Sequence, residues 1–142
     1  MSVIFSRQCE YAIQALIYLA GKSRVDLTSI KEIAEHIKVP YHFVGKILQK
    51  LASEGLLKSQ KGLYGGFALA RPADKLTLLE IIEAIDGDAY RKECVIGFPN
   101  CSDSNPCPIH DKWAGLREDI IDMLKNKTLK RLSVEIEKPG YK

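Results

Sequence analysis

Residues 29–72 read SIKEIAEHIKVPYHFVGKILQKLASEGLLKSQKGLYGGFALARP. Ser29 followed three positions later by Glu32 is a capping box, in which a hydroxyl and a carboxylate satisfy free N–H groups at a helix start. Ile30, Ile33, Ala34 and Ile37 recur at helical spacing and predict a first short helix. The segment KVP ends it, because Pro40 breaks a helix from within but suits the first turn of the next one. Phe43, Val44, Ile47, Leu48 and Leu51 predict that next helix, and Gly55 supplies a left-handed stop. Residues 56–60 and 67–70 then predict two strands around the turn KGLYGG.

Helix, short turn, helix and hairpin form the layout of a winged helix, whose second helix enters the DNA major groove while the hairpin flanks it. Side chains near the N-terminus of that helix read bases, here Tyr41, His42, Gly45 and Lys46. His42 both donates and accepts, and Lys46 can donate to guanine O6 or N7. Gly45 would let the backbone approach the groove, at a helix cost of about 1 kcal/mol relative to Ala. Lys50 is placed for phosphate, Lys61 and Tyr64 at the hairpin tip for phosphate or the minor groove, and Ser29 joins the DNA-facing set. Phosphate contacts position a protein and carry little sequence information. The plainer alternative is that the lysines are solvated surface, Tyr64 packs across the hairpin, and Gly65 and Gly66 serve the turn alone.

Outside this stretch, RQCEYAIQALIYLAGK places Tyr11, Ala12, Ala15, Leu16 and Leu19 on one helical face. LTLLEIIEAIDG repeats the capping box with Thr77 and Glu80 and ends at Gly87. DKWAGLREDIIDMLKNK carries Trp113, Leu116, Ile120 and Leu124 at i, i+3, i+7 and i+11, with Ile121 and Met123 beside them. This helix projects beyond a winged-helix core, so the stripe of Trp113, Leu116, Ile120, Met123 and Leu124 needs a partner. The tail TLKRLSVEIEKPGYK is polar and is expected to pack weakly. The predicted fold is mainly α with a small β-hairpin wing. Its divisions are a DNA-binding domain over 1–87, a cysteine-rich loop over 88–111, and a dimerisation helix with tail over 112–142.

The cysteine loop reads CVIGFPNCSDSNPCPIH from Cys94 to His110 and holds three of the four cysteines. The apolar run near the N-terminus is broken by Arg7, Glu10 and Gln14, so neither a signal peptide nor a membrane span is expected. A cytoplasmic, reducing location follows, where clustered cysteines bind metal or react rather than form structural disulfides. Zinc sites pair cysteines at shorter gaps than the six and five residues seen here. The wide gaps suit an iron–sulfur cluster, of 2Fe–2S or 4Fe–4S type, held by Cys94, Cys101 and Cys107. His110 is near enough to be a fourth ligand. A structural zinc, a redox disulfide or idle thiols are the alternatives. Cys9 stands apart and reads as a small buried hydrophobe.

The net charge of +3 is uneven: residues 1–75 carry 11 Lys/Arg against 6 Asp/Glu, and residues 76–142 carry 10 against 12. A basic first half is compatible with a nucleic-acid surface. No nucleophile elbow, phosphate-binding loop or dinucleotide fingerprint is visible, so an enzyme is not expected. Only Cys107 with His110 would offer a nucleophile and base.

The segments EYAIQALIYLA, SIKEIAEHIKVP, LQKLASEGLLKSQKGLYGGFALARP and LTLLEIIEAIDG, followed by the triple-cysteine loop, resemble the Rrf-two family of bacterial winged-helix transcription regulators. Their order and spacing carry the resemblance over nearly the whole chain up to the long helix. It implies a homodimer paired through that helix, two winged helices facing a palindromic double-stranded operator, and control by an iron–sulfur cluster. It also implies an alternative fourth ligand, Glu10, from the partner subunit. Three positions depart from the family pattern: Pro40 opens the recognition helix, Tyr64 stands where glycine is frequent, and six residues separate the first two loop cysteines where five are commoner.

Overall fold

A computed structural model describes residues 5–91, 93–98 and 100–136. Helix α1 (Arg7–Ala20) is followed by α2 (Ile30–Ile37), α3 (Tyr41–Ser53), strands β1 (Leu57–Gln60) and β2 (Gly66–Leu69), α4 (Leu78–Asp86), α5 (His110–Lys125) and α6 (Leu129–Ile136). Single 3-10 turns precede and follow α4.

Helix α1 is central, packing against α2, α3, α4, α6 and β2. Its buried face is Cys9, Ala12, Ala15, Leu16 and Leu19, the stripe that the 3.6-residue period predicts with Tyr11 left half-buried. Ser6 caps it by accepting from the Cys9 N–H, and the Ser6 N–H donates to Asp86 at the end of α4. The start of α1 is thereby tied to the end of α4.

The turn between α2 and α3 differs in detail from expectation. Lys38, not Pro40, terminates α2, in a left-handed conformation (φ 59°) with its N–H bonded to Ala34 O. Helix α3 buries Val44, Ile47, Leu48 and Leu51, but Phe43 stays 51 % exposed, because α1 and α4 leave a gap beside it. Gly55 takes the expected left-handed conformation (φ 82°) after α3.

The hairpin pairs Leu57 with Leu69 and Gln60 with Gly66, antiparallel. Thr28 adds a bridge to Phe67 through two backbone hydrogen bonds of 2.8 and 2.9 Å, anchoring the wing to the segment that leads into α2. Glycine is required at the turn exit for space: a Cβ on Gly65 would lie 2.1 Å from Gln60 O, and one on Gly66 2.4 Å from Thr28 O. The wing is thus held rigidly at its base.

The weakly packed tail is corrected. The Leu129 N–H donates to Leu76 O at 2.7 Å and the Leu78 N–H donates to Lys127 O at 3.0 Å. These bonds bring α6 back onto α1 and bury Leu129 completely. The final residues of the tail, 137–142, lie outside the described residues.

Candidate functional site

The cysteine loop is shaped by short turns. The Gly97 N–H donates to Cys94 O, and Ser102 and Asn105 exchange two backbone hydrogen bonds. The His110 N–H donates to Cys107 O as α5 begins. These turns place the sulfurs of Cys94, Cys101 and Cys107 within 4.8 Å of one another, with the Cys94 and Cys107 sulfurs 3.5 Å apart. The sequence-predicted triad is therefore brought together. All three side chains are half-buried, shielded but reachable.

His110 also arrives at the triad. Its Nδ1 lies 3.2 Å from Cys101 Sγ, and its Nε2 lies 2.8 Å from Asp103 Oδ1. A carboxylate on the far ring nitrogen is the usual way to orient a metal-binding imidazole. Asp103 is a residue that sequence reasoning missed; only its position between two cysteines hinted at it.

The local field differentiates the thiols. The Cys107 N–H donates to Cys101 Sγ at 3.4 Å, and this bond, with His110 beside it, lowers the Cys101 pKa to about 7. Burial pushes the Cys107 thiol up. The Asp103 carboxylate, then Cys101, holds the His110 imidazole above its ordinary value. Thiolates stable near neutrality are soft metal ligands. The donor set fits a thiophilic metal centre, because tetrahedral thiolates about 2.3 Å from one ion would themselves lie about 3.8 Å apart. Cys9 is different: it is fully buried in the core, and burial, then Asp86 and Glu10, raises its pKa to about 12. Glu10 sits half-buried in the first turn of α1.

Along α3, Tyr41, His42 and Lys46 are exposed. The His42 ring packs against Phe43, with centroids 4.4 Å apart. Gln49 lies on the same exposed face, three residues beyond Lys46, and was missed. A glutamine in a major groove can pair with adenine N6 and N7. Gly45 is buried, and a Cβ there would meet Ile30 Cδ1 at 3.7 Å, so it faces α2. The exposed Lys50 donates its Nζ to Ile85 O at 2.7 Å and satisfies a carbonyl at the end of α4. The Ser29 hydroxyl accepts the Glu32 N–H and serves as the α2 cap. Lys61 is exposed at the wing, and Tyr64 projects from its tip 88 % exposed, with Leu63 beside it. Tyr64 does not pack across the hairpin.

Helix α5 presents two stripes. Ile121 and Leu124 are buried in the chain's own core, which removes Leu124 (6 % exposed) from the predicted pairing face. Trp113, Leu116, Ile120 and Met123 follow a 3-4-3 spacing on the outer side, Leu116 and Met123 well exposed. That spacing is the seam of paired helices. The Trp113 Nε1 donates to Glu93 O, linking this helix to the cysteine loop. No described helix is long and apolar enough to cross a membrane.

Comparison with known proteins agrees with this architecture. The chain is 42% identical over 133 residues to a protein of Aquifex aeolicus named as an HTH-type transcriptional regulator, covering 92% of this chain and 91% of the relative. It is 29% identical over 122 residues to the HTH-type transcriptional regulator IscR of Erwinia tasmaniensis, covering 86% and 73%. Among solved structures, CymR, the global cysteine regulator of B. subtilis, superposes with a TM-score of 0.77 at 26% identity, covering 92% of this chain and 96% of that one. T. potens IscR superposes with a TM-score of 0.71 at 25% identity, covering 93% and 87%. Relatives and fold neighbours alike are regulators rather than enzymes. The pattern of the Rrf2 (Rrf-two) family, described as iron-dependent transcriptional regulators, matches residues 5–135, and the chain belongs to that family.

Proposed function

We propose that the protein is a homodimeric, cytoplasmic repressor that binds a palindromic operator through two winged helices and is controlled by an iron–sulfur cluster. The convergence of the Cys94, Cys101 and Cys107 sulfurs within 4.8 Å supplies a soft three-thiolate metal site, and the family's iron dependence supports iron, as a cluster, rather than zinc there. These thiolates would hold the cluster, and His110, oriented by Asp103, would complete the set. The partner subunit's Glu10 is the alternative. When bound, the cluster supplies sensitivity to iron status, oxidation or nitric oxide.

The chain's own residues would transmit the change. Cys107 and His110 lie at the entry to α5, and Trp113 ties α5 to Glu93 on the other side of the loop. A rearrangement of the thiols would therefore be felt at the helix whose outer face would join the subunits. A hundredfold change in operator affinity needs only about 2.7 kcal/mol of coupling, within the usual range.

A second reading uses the thiols directly. With its pKa lowered to about 7, Cys101 is about half thiolate at neutral pH, and the Cys94 and Cys107 sulfurs are 3.5 Å apart. One solved neighbour is the oxidized form of Staphylococcus aureus CymR, 27% identical with a TM-score of 0.73, covering 94% of this chain and 96% of that one. Anaerobic purification followed by a visible spectrum with iron and acid-labile sulfide analysis separates the two readings. A brown protein with matched iron and sulfide, bleached by Cys101→Ser, is expected. A colourless protein that resists anaerobic reconstitution would remove the cluster and leave the thiol reading.

A further inference from the structure

A cavity of about 450 Å³ opens between α1, α3 and the end of α4, away from the cysteine loop. Its walls are Tyr11, Val39, Phe43, Ile47 and Ile85. Three cations line it as well: Arg7, Lys46 and Lys50. Among the described residues no acidic one does. The volume lies in the range of small-molecule sites, which are apolar clefts with a few placed polar groups.

The charges are available. Among the described residues neither Arg7 nor Lys46 makes an ion pair. Lys50 is held against Ile85 O, which fixes one ammonium at the edge of the cavity. Phe43 adds a large apolar surface that the chain does not cover. A neutral apolar ligand would leave the cations unused, and a small inorganic anion would leave the walls unused. Complementarity in both respects selects an amphipathic anion, an apolar body of medium length ending in a carboxylate or similar group.

We infer that this cavity between α1 and α3 is an effector site for a small amphipathic carboxylate, and that its occupant competes with operator DNA. Val39, Phe43, Lys46 and Ile47 belong to α3 or the turn before it, whereas Tyr11 and Ile85 belong to the scaffold. An occupant therefore bridges the recognition helix to the body of the domain. It also engages Lys46, which faces DNA in the proposed function. The competition rests on that reading; binding to the cavity does not.

The test uses the full chain, with decanoate as probe and decanol as its uncharged counterpart. Calorimetry should give a 1:1 decanoate complex with a dissociation constant below about 1 mM, and decanol should bind at least about tenfold more weakly. Arg7→Glu and Lys46→Glu are exposed changes that leave the core intact, and each should weaken decanoate about tenfold without affecting decanol. Amide shifts in ¹H–¹⁵N spectra should concentrate at Tyr11, Val39, Phe43 and Ile85. Absent binding, equal affinity for decanoate and decanol, or shifts centred on the cysteine loop would each overturn the site. With an operator selected from random DNA, saturating decanoate should lower DNA affinity, and unchanged affinity would overturn the competition. Failure to select any DNA would count against the DNA-binding reading alone, since calorimetry stands without it.

Discussion

Cys101 illustrates how a single residue acquires its chemistry from neighbours distant in sequence. Its sulfur accepts the Cys107 N–H and lies beside the His110 imidazole, which together bring its pKa to about 7. Cys9, in the same chain, is held at about 12 by burial. The thiolate is the nucleophile. Alkylation of the metal-free protein by iodoacetamide should therefore begin at Cys101, its rate rising as pH passes 7 and levelling above it. Cys9 should be modified only on unfolding. Site-resolved mass spectrometry across pH 5–9 checks both. Uniform labelling of all four cysteines would contradict the local field described for the loop.

At the scale of elements, both capping boxes are only half made. Ser29 and Thr77 accept from the N–H groups of Glu32 and Glu80 as the sequence signature predicts. Neither carboxylate closes its box on the cap N–H: Glu32 binds the Tyr18 hydroxyl and Lys22, while Glu80 binds Arg71 and accepts from the Thr77 hydroxyl at 3.5 Å. Glu32 thus ties α2 to α1, and Glu80 ties α4 to the segment that follows β2. The Tyr18 hydroxyl bond, followed by Lys22, holds Glu32 below the ordinary carboxylate pKa. Because the hydroxyl alone carries the α2 cap, Ser29→Ala should cost about 1 kcal/mol, read as a lower urea midpoint with an unchanged slope. Helix α5 shows the same sharing. One stripe completes the chain's own core, while on the outer stripe Leu116 and Met123 stay well exposed and Ile120 packs partly against the core.

For the whole molecule, the C-terminal segment closes the core rather than trailing from it. Leu129 is fully buried, and the bridge between Thr77 and Thr128 aligns α6 with the start of α4. Removing a buried leucine leaves a cavity as well as a transfer loss, so Leu129→Ala should destabilise the protein by about 2–5 kcal/mol. Urea unfolding monitored by far-ultraviolet circular dichroism measures this. A loss below 0.5 kcal/mol, about what a surface substitution gives, would mean that the tail packs as loosely as its composition suggests.

Local signals determined most of the secondary structure. The stripes of α1 to α4, the caps at Ser29 and Thr77, and the left-handed glycines at 55 and 87 depend on periodicity and turn chemistry, which the chain carries within a few residues. The order of these elements, with the triple-cysteine loop, was sufficient to indicate the family. Only the tertiary structure decided which neighbour each face meets. It turned Gly45 toward Ile30, gave Lys50 to the end of α4, and left Phe43 uncovered. It also took Leu124 into the chain's own core and folded a polar-looking tail onto α1. In the site, spacing identified the three thiols, but the Asp103–His110–Cys101 chain of contacts required the fold of the loop. The physical reason is the same throughout. A side chain's period says that it has an inner face, whereas its partner is set by contacts between segments far apart in sequence.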